Sequence, residues 1–180
     1  MLAGLERGIA SSSPMRVPAH EPYVGVVGPA TASPAVLELA KEVGRLLATE
    51  RATIVCGGRG GVMEAVCAGA AEHQGFTIGI LPDADRAQAN RYLTVALSTG
   101  LGELRNGLIV NCSDTVIAVG GSWGALSEVS LAIRLQKHVV GLETWQITGS
   151  DCSYDWFHTA TSAREAVEIA LDHARASVVP

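Results

Sequence analysis

Residues 115–136 read TVIAVGGSWGALSEVSLAIRLQ. Thr115–Val119 is an unbroken apolar, β-branched run, the pattern of a strand buried on both faces. Gly120-Gly121-Ser122-Trp123-Gly124 is a glycine-rich turn, and Ala125–Gln136 then carries apolar residues at helical spacing. A strand, a glycine loop and a helix in that order form one half of a βαβ unit. The same order occurs twice upstream. Tyr23–Val27 leads through Gly28-Pro29-Ala30-Thr31-Ala32 to Ser33, a helix-capping residue with Pro34 behind it at the first helical position. That helix extends to about Glu50, with Val36, Leu39, Ala40, Val43, Leu46 and Leu47 along one face. Thr53–Cys56 leads through Gly57–Gly61 to a helix over Val62–Gln74.

Outward from these units, Thr77–Ile80, Tyr92–Ala96 and Val139–Leu142 read as further strands, Glu103–Cys112 as a short helix and Ser162–Ala176 as a closing helix. Asp83–Arg91 is polar and reads as a flexible loop over a site. Strands alternating with helices imply a parallel sheet covered on both faces. The expected fold is α/β: a single doubly wound, Rossmann-like, mostly parallel sheet with helices on both faces, over residues 21–180. Residues 1–20 read as a flexible Ser- and Pro-containing leader, in which Met15 is an alternative start.

Composition narrows the function. The chain has 180 residues, 48% hydrophobic and only 4% aromatic, with a net charge of −5. A chain of this length buries roughly 70% of its unfolded surface as one domain, so neither disulfides nor a metal are needed for a core. Mild acidity and few aromatics argue against nucleic acid, which asks for a basic face and stacking rings. The longest apolar runs are strand-sized, far short of the roughly 20 residues of a membrane span, and Met1–His20 has no apolar core suited to a signal peptide. Cys56, Cys67, Cys112 and Cys152 form no CxxC pair, which favours a cytoplasmic chain with its cysteines as small core residues. The five His are scattered, so no metal site is expected.

In a doubly wound sheet, ligands bind beyond the carboxyl ends of the strands. The three glycine loops fall there, each opening a helix. A helix N-terminus offers unpaired backbone N–H groups, and glycine lets a phosphate approach them closely. The candidate ligand-binding residues are Gly28, Ser33, Gly57, Gly58, Gly60, Gly61, Met63, Asn106, Gly120, Gly121, Ser122, Trp123, Gly124 and Ala125. Plain tight βα turns are the competing reading of the same glycines. The dinucleotide fingerprint fails, because Met63 holds its third glycine position, and no P-loop is present. A mononucleotide or another small phosphate ester fits better.

Gly120–Gly124 also matches the G-x-S-x-G nucleophile elbow, and Asp151 or Asp155 with His158 or His173 would complete a triad in order. Two charged residues mark the phosphate reading instead. Arg105 sits in the short helix before the Thr115–Val119 strand. Glu128 reads as lying in the first turn of the helix after the third loop, where the helix dipole lowers a carboxyl pKa. Each also has a plain reading, as a surface cation and a helix-end acid.

These residues carry a family resemblance. The segment Tyr23–Leu142 resembles the Lonely Guy phosphoribohydrolases, long mislabelled as lysine decarboxylases, and more closely their Rossmann-like relatives that include the molybdenum-cofactor carrier. The first family signature, GGGxxGLM, is Cys56-Gly57-Gly58-Arg59-Gly60-Gly61-Val62-Met63 here, and PGGxGTxxE aligns with Gly120–Glu128. The family's Arg-Lys pair falls on Arg105-Asn106, and Leu104-Arg105-Asn106-Gly107 looks like the carrier branch. The resemblance implies Arg105 and Glu128 as a catalytic pair acting on the N-glycosidic bond of a nucleoside 5′-monophosphate, with the carboxylate stabilising an oxocarbenium-like sugar. The second signature and the Arg-Lys pair carry departures: Gly120 for Pro, Ser122 for Gly, Ala125 for Thr and Asn106 for Lys. The lost hydroxyl and ammonium are each worth about 1–3 kcal/mol if charge-assisted.

The expected function is binding of a phosphorylated small molecule, a nucleoside monophosphate or a molybdopterin-type cofactor, with no cofactor required. The first alternative is hydrolysis of a nucleoside 5′-monophosphate to base and ribose 5-phosphate. The second is a serine hydrolase using Ser122. Trp123 is placed to stack on a base or pterin, or to pack under its loop. The resemblance also implies a homodimer or higher homo-oligomer, for which the Ala-rich faces of 62–74 and 125–136 offer packing surfaces across a two-fold. Neither nucleic acid nor a membrane is an expected partner.

Overall fold

The apolar runs become the strands of one sheet. β1 (Tyr23–Val27), β2 (Thr53–Cys56), β3 (Thr77–Leu81), β4 (Val95–Ser98), β5 (Thr115–Val119), β6 (Val139–Leu142) and β7 (Phe157–Ala160) lie in the order β4-β3-β2-β1-β5-β6-β7. Every pairing is parallel. The structure, a computed structural model, describes residues 21–147 and 156–176. The expected leader 1–20, and with it Asp151, Cys152 and Asp155, lies outside the described residues.

Helices cover both faces, as a parallel sheet requires. On one face α1 (Pro34–Thr49), α2 (Val62–Ala71) and α5 (Ala163–Ala176) bury Val43, Leu47, Val66 and Ala170 against the sheet. On the other, α3 (Asn106–Asn111) and α4 (Trp123–Arg134) bury Ile109, Val110, Val129 and Ala132. The capping motif expected at α1 is formed: the Val36 N–H donates to Ser33 Oγ at 3.4 Å, with Pro34 at the start. α1 and α2 touch through glycine. A Cβ on Gly69 would fall 1.9 Å from the Lys41 carbonyl oxygen, and one on Gly44 2.0 Å from that of Val66. α1 of the same chain thus covers the Gly69 side of α2.

The order of the strands positions the site. The chain steps outward from β1 to β4, then returns to lay β5 beside β1. Asp114, just before β5, accepts the Tyr23 N–H at 2.8 Å across 91 residues of sequence. The crevice between β1 and β5 is the switch point at which such sheets hold ligands.

Element limits shift by one to three residues in several places, α2 ending at Ala71 rather than Gln74, and three differences have a clear local cause or consequence. β4 begins at Val95 rather than Tyr92, because Asn90 Oδ1 takes the Tyr92 N–H and Thr77 Oγ1 takes the Thr94 N–H before strand pairing starts. β7 was not expected at all: Phe157-His158-Thr159-Ala160 is a short edge strand, partly exposed and half polar. α4 begins at Trp123, two residues early, because Ser122 caps it. Among the described residues no helix is long and apolar enough to cross a membrane.

Candidate functional site

The carboxyl ends of β1, β2 and β5 surround a cavity of about 200 Å³. Nine of the residues singled out from the sequence line it. Gly28, Gly57 and Met63 come from the first two loops, Arg105 and Asn106 from the 3₁₀ turn Gly102–Arg105 and the start of α3. Ser122, Gly124, Ala125 and Glu128 come from the third loop and α4. A larger groove, about 400 Å³, lies between α1 and α5 and contains none of these residues. It is a gap between helix surfaces, away from the strand ends where the sheet focuses unpaired backbone.

Arg105 and Glu128 form the floor. Arg105 Nη1 lies 3.7 Å from Glu128 Oε1, with only 10% and 7% of the two side chains exposed. Arg105 Nε is buried and has no hydrogen-bond partner. The guanidinium lies against the backbone of Gly57, where a Cβ would come within 2.8 Å of Nη1. A side chain at 57 would crowd both Met63 Sδ, at 2.6 Å, and the guanidinium. Because α4 starts at Trp123, Glu128 stands in its second turn, not the first. Its pKa is raised, not lowered: burial pushes it up to about 7, Arg105 pulls against that, and Glu103 adds to it. Desolvation of the charged form outruns the helix dipole once the carboxyl leaves the exposed first turn.

Seven expected residues stand back from the cavity. Ser33 is spent as the α1 cap. Gly58, with φ +73°, packs against Gly79 and Leu81 under the loop, and Gly61, with φ +67°, sits against the Pro29 and Ala30 backbone. Both conformations favour glycine on local grounds alone, as the tight-turn reading holds. Gly60, Gly120 and Gly121 likewise do not line the cavity. Trp123 is 78% exposed, so it is not packed under its loop. Its ring lies 5.2 Å from that of Trp145, whose Nε1–H donates to the Ser122 carbonyl at 3.3 Å.

Several lining residues were not singled out from the sequence: Val26 and Val27 at the tip of β1, Ala30, Arg59 and Glu103. Arg59, between two glycine pairs, was the legible one. Its Nη2 lies 2.6 and 2.5 Å from the two carboxylate oxygens of Asp83. The Asn90 side-chain amide donates to the carbonyls of Gly58 and Arg59, both at 3.2 Å. The segment expected as a flexible loop over the site is thus tied at both ends to the Gly57–Gly61 loop.

The serine-hydrolase constellation is not assembled among the described residues. Ser122 has extended backbone, φ −150°, and its hydroxyl accepts the Ala125 N–H at 3.1 Å as the cap of α4. His158 and His173 instead meet His138, at the amino ends of β6 and β7. That is about 13 Å of strand from the edge that carries Ser122. Burial and the neighbouring His173 lower the His158 pKa. The cysteines, solitary in sequence, include one close pair, with Cys56 and Cys67 sulfurs 3.7 Å apart.

The profile of the SLOG cluster4 family matches residues 21–175. The chain belongs to that family. An uncharacterized protein of Archaeoglobus fulgidus is 35% identical to this SLOG chain over 120 residues, 67% of this chain and 79% of that one. The structure is similar to the molybdenum cofactor binding protein of Rippkaea orientalis, at 37% identity and TM-score 0.78, covering 86% of this chain and 96% of that one. It is also similar to the molybdenum cofactor carrier protein of Chlamydomonas reinhardtii, at 33% identity and TM-score 0.77, covering 85% and 98%. The resemblance to the carrier branch, drawn from Leu104-Arg105-Asn106-Gly107, thus agrees with the family match and with these neighbours.

Proposed function

We propose that this SLOG chain binds a phosphorylated small molecule, of molybdopterin cofactor type, in the cavity between β1 and β5. The observation that carries the reading is the buried Arg105, with one guanidinium N–H unpartnered, facing the glycine loops at the switch point. Buried donors without partners are uncommon, and a phosphate oxygen satisfies one well. A cavity of about 200 Å³ takes the phosphate end of such a ligand but not the whole of it, since drug-sized pockets run from about 300 Å³. The ring system then lies outward, where exposed Trp123 supports stacking. Glu128, half protonated near neutral pH, tolerates an anion beside it better than a fully ionised carboxylate would.

The second reading is hydrolysis of a nucleoside 5′-monophosphate. It is favoured by one observation: the buried Arg105–Glu128 pair matches the catalytic positions of the phosphoribohydrolases. In that reaction Glu128 stabilises the developing sugar cation and positions water, while Arg105 holds the phosphate end.

Two measurements separate the readings. Purified protein is mixed with molybdenum cofactor, and protein-bound molybdenum is quantified after gel filtration. Separately, it is incubated with AMP and free adenine is sought by chromatography. Retained molybdenum with no adenine supports the carrier reading; adenine release lost in Glu128→Ala supports the enzyme. Neither retention nor release, with no thermal shift from either ligand, would overturn both.

A further inference from the structure

Three imidazoles meet at the sheet edge opposite the cavity. His138 directly precedes β6, His158 is the second residue of β7, and His173 lies in the last turn of α5. His138 Nδ1 and His158 Nε2 are 2.9 Å apart. The His138 and His173 rings stack at 3.5 Å and 11°, and His158 and His173 at 4.7 Å and 23°. One nitrogen from each ring lies within 4.8 Å of the other two. The Trp156 ring closes one side, 4.5 Å from His138. None of these residues belongs to the cavity between β1 and β5.

We propose that His138, His158 and His173 form a binding site for a divalent transition-metal ion of the zinc type, with three imidazole ligands and one open position. Donors on a tetrahedral ion with bonds of about 2.0–2.1 Å stand about 3.3 Å apart. One pair of nitrogens stands at 2.9 Å and all three lie within 4.8 Å of one another, so small side-chain adjustments reach that value. The stacked His138 and His173 rings direct their lone pairs side by side rather than to one point. Convergence therefore asks for a turn about χ2, a broad and inexpensive torsion. An all-imidazole donor set suits zinc, copper, nickel or cobalt and disfavours calcium and magnesium, which want oxygen. The ligands come from the residue before β6, from β7 and from α5 rather than from one loop, so an ion would pin these three elements together.

The test uses the full chain, stripped with EDTA and dialysed, and titrated with Co²⁺ while its visible d–d absorption is followed. The expected result is one Co²⁺ per chain, displaced by Zn²⁺, with Zn²⁺ raising the melting temperature. His158→Gln and His173→Gln should each weaken binding more than about tenfold, since even outer-shell partners are worth 10–100-fold. His173 lies in the last turn of α5, outside the sheet, so its variant keeps the test open should His158→Gln fail to fold. Cys112→Ser should bind as wild type does. The proposal is overturned by absence of saturable binding in the wild type. It is equally overturned by binding that survives both histidine variants, or by a thiolate–cobalt charge-transfer band.

Discussion

The Arg105 guanidinium lies 3.7 Å from the Glu128 carboxylate, and the two share a nearly dry floor. The distance is that of an ion pair without a direct hydrogen bond. It leaves the carboxyl under-compensated, which is why burial governs its pKa, and it leaves a guanidinium N–H unused.

Stability should therefore fall as pH rises through the range where Glu128 ionises. Its pKa is about 7 in the folded chain against an ordinary value of 4.5. Between those values the native state holds a proton that the unfolded state has lost, so unfolding becomes easier with rising pH. Glu128→Gln removes this dependence. Its stability relative to wild type should rise by up to about 3 kcal/mol between pH 4 and pH 8, measured by urea unfolding at the two pH values. A difference that stays flat would mean that the carboxyl titrates normally.

Arg105→Met should weaken binding of the phosphorylated ligand by about 10–100-fold, the worth of one charge-assisted contact. Titration calorimetry with AMP or with the molybdenum cofactor reads this directly. Arg105→Lys should recover only part, because a point charge cannot reproduce the planar fork.

Two glycine substitutions should move stability in opposite directions. Helix propensity alone favours alanine at each by up to about 1 kcal/mol. At Gly107 a new Cβ meets Leu131 Cδ2 at 3.7 Å, ordinary contact, so Gly107→Ala should be neutral to stabilising. At Gly69 it would fall 1.9 Å from the Lys41 carbonyl, so Gly69→Ala should destabilise by about 1–3 kcal/mol or more. Thermal melts of the two variants side by side decide the matter.

Self-association should use the side of the molecule bearing the 3₁₀ turn and α3. Leu104 is 80% exposed there, with Leu101 and Leu108 beside it; an apolar patch of this kind suits contact with a second copy. Light scattering at micromolar concentration should give a mass above the monomer, and Leu104→Lys with Leu108→Lys should lower it. A monomeric wild type would end this reading.

Most of the sheet was legible because a strand buried on both faces must be apolar throughout. β1, β2, β5 and β6 have the expected limits. β7 was not legible, since an edge strand can carry His158 and Thr159 and so resembles a connection. Within the site, Arg105 and Glu128 came from motif spacing and do meet. The shift of Glu128 was missed because a carboxyl near a helix start suggests the dipole, whereas depth in the fold decides. Local sequence also says nothing of the histidines at 138, 158 and 173, which come together only because β6, β7 and α5 are neighbours.

The return of β5 to the side of β1 has a kinetic corollary. Tyr23 and Asp114 close a loop of 91 residues, so the crevice exists only once the two halves of the chain have docked. Pairings of such long range form slowly, and opening of that one seam dissolves the whole pocket. An occupant of the pocket acts as a clasp on the seam, slowing amide exchange in β1 and β5 together while leaving β4, at the far edge, to exchange as before.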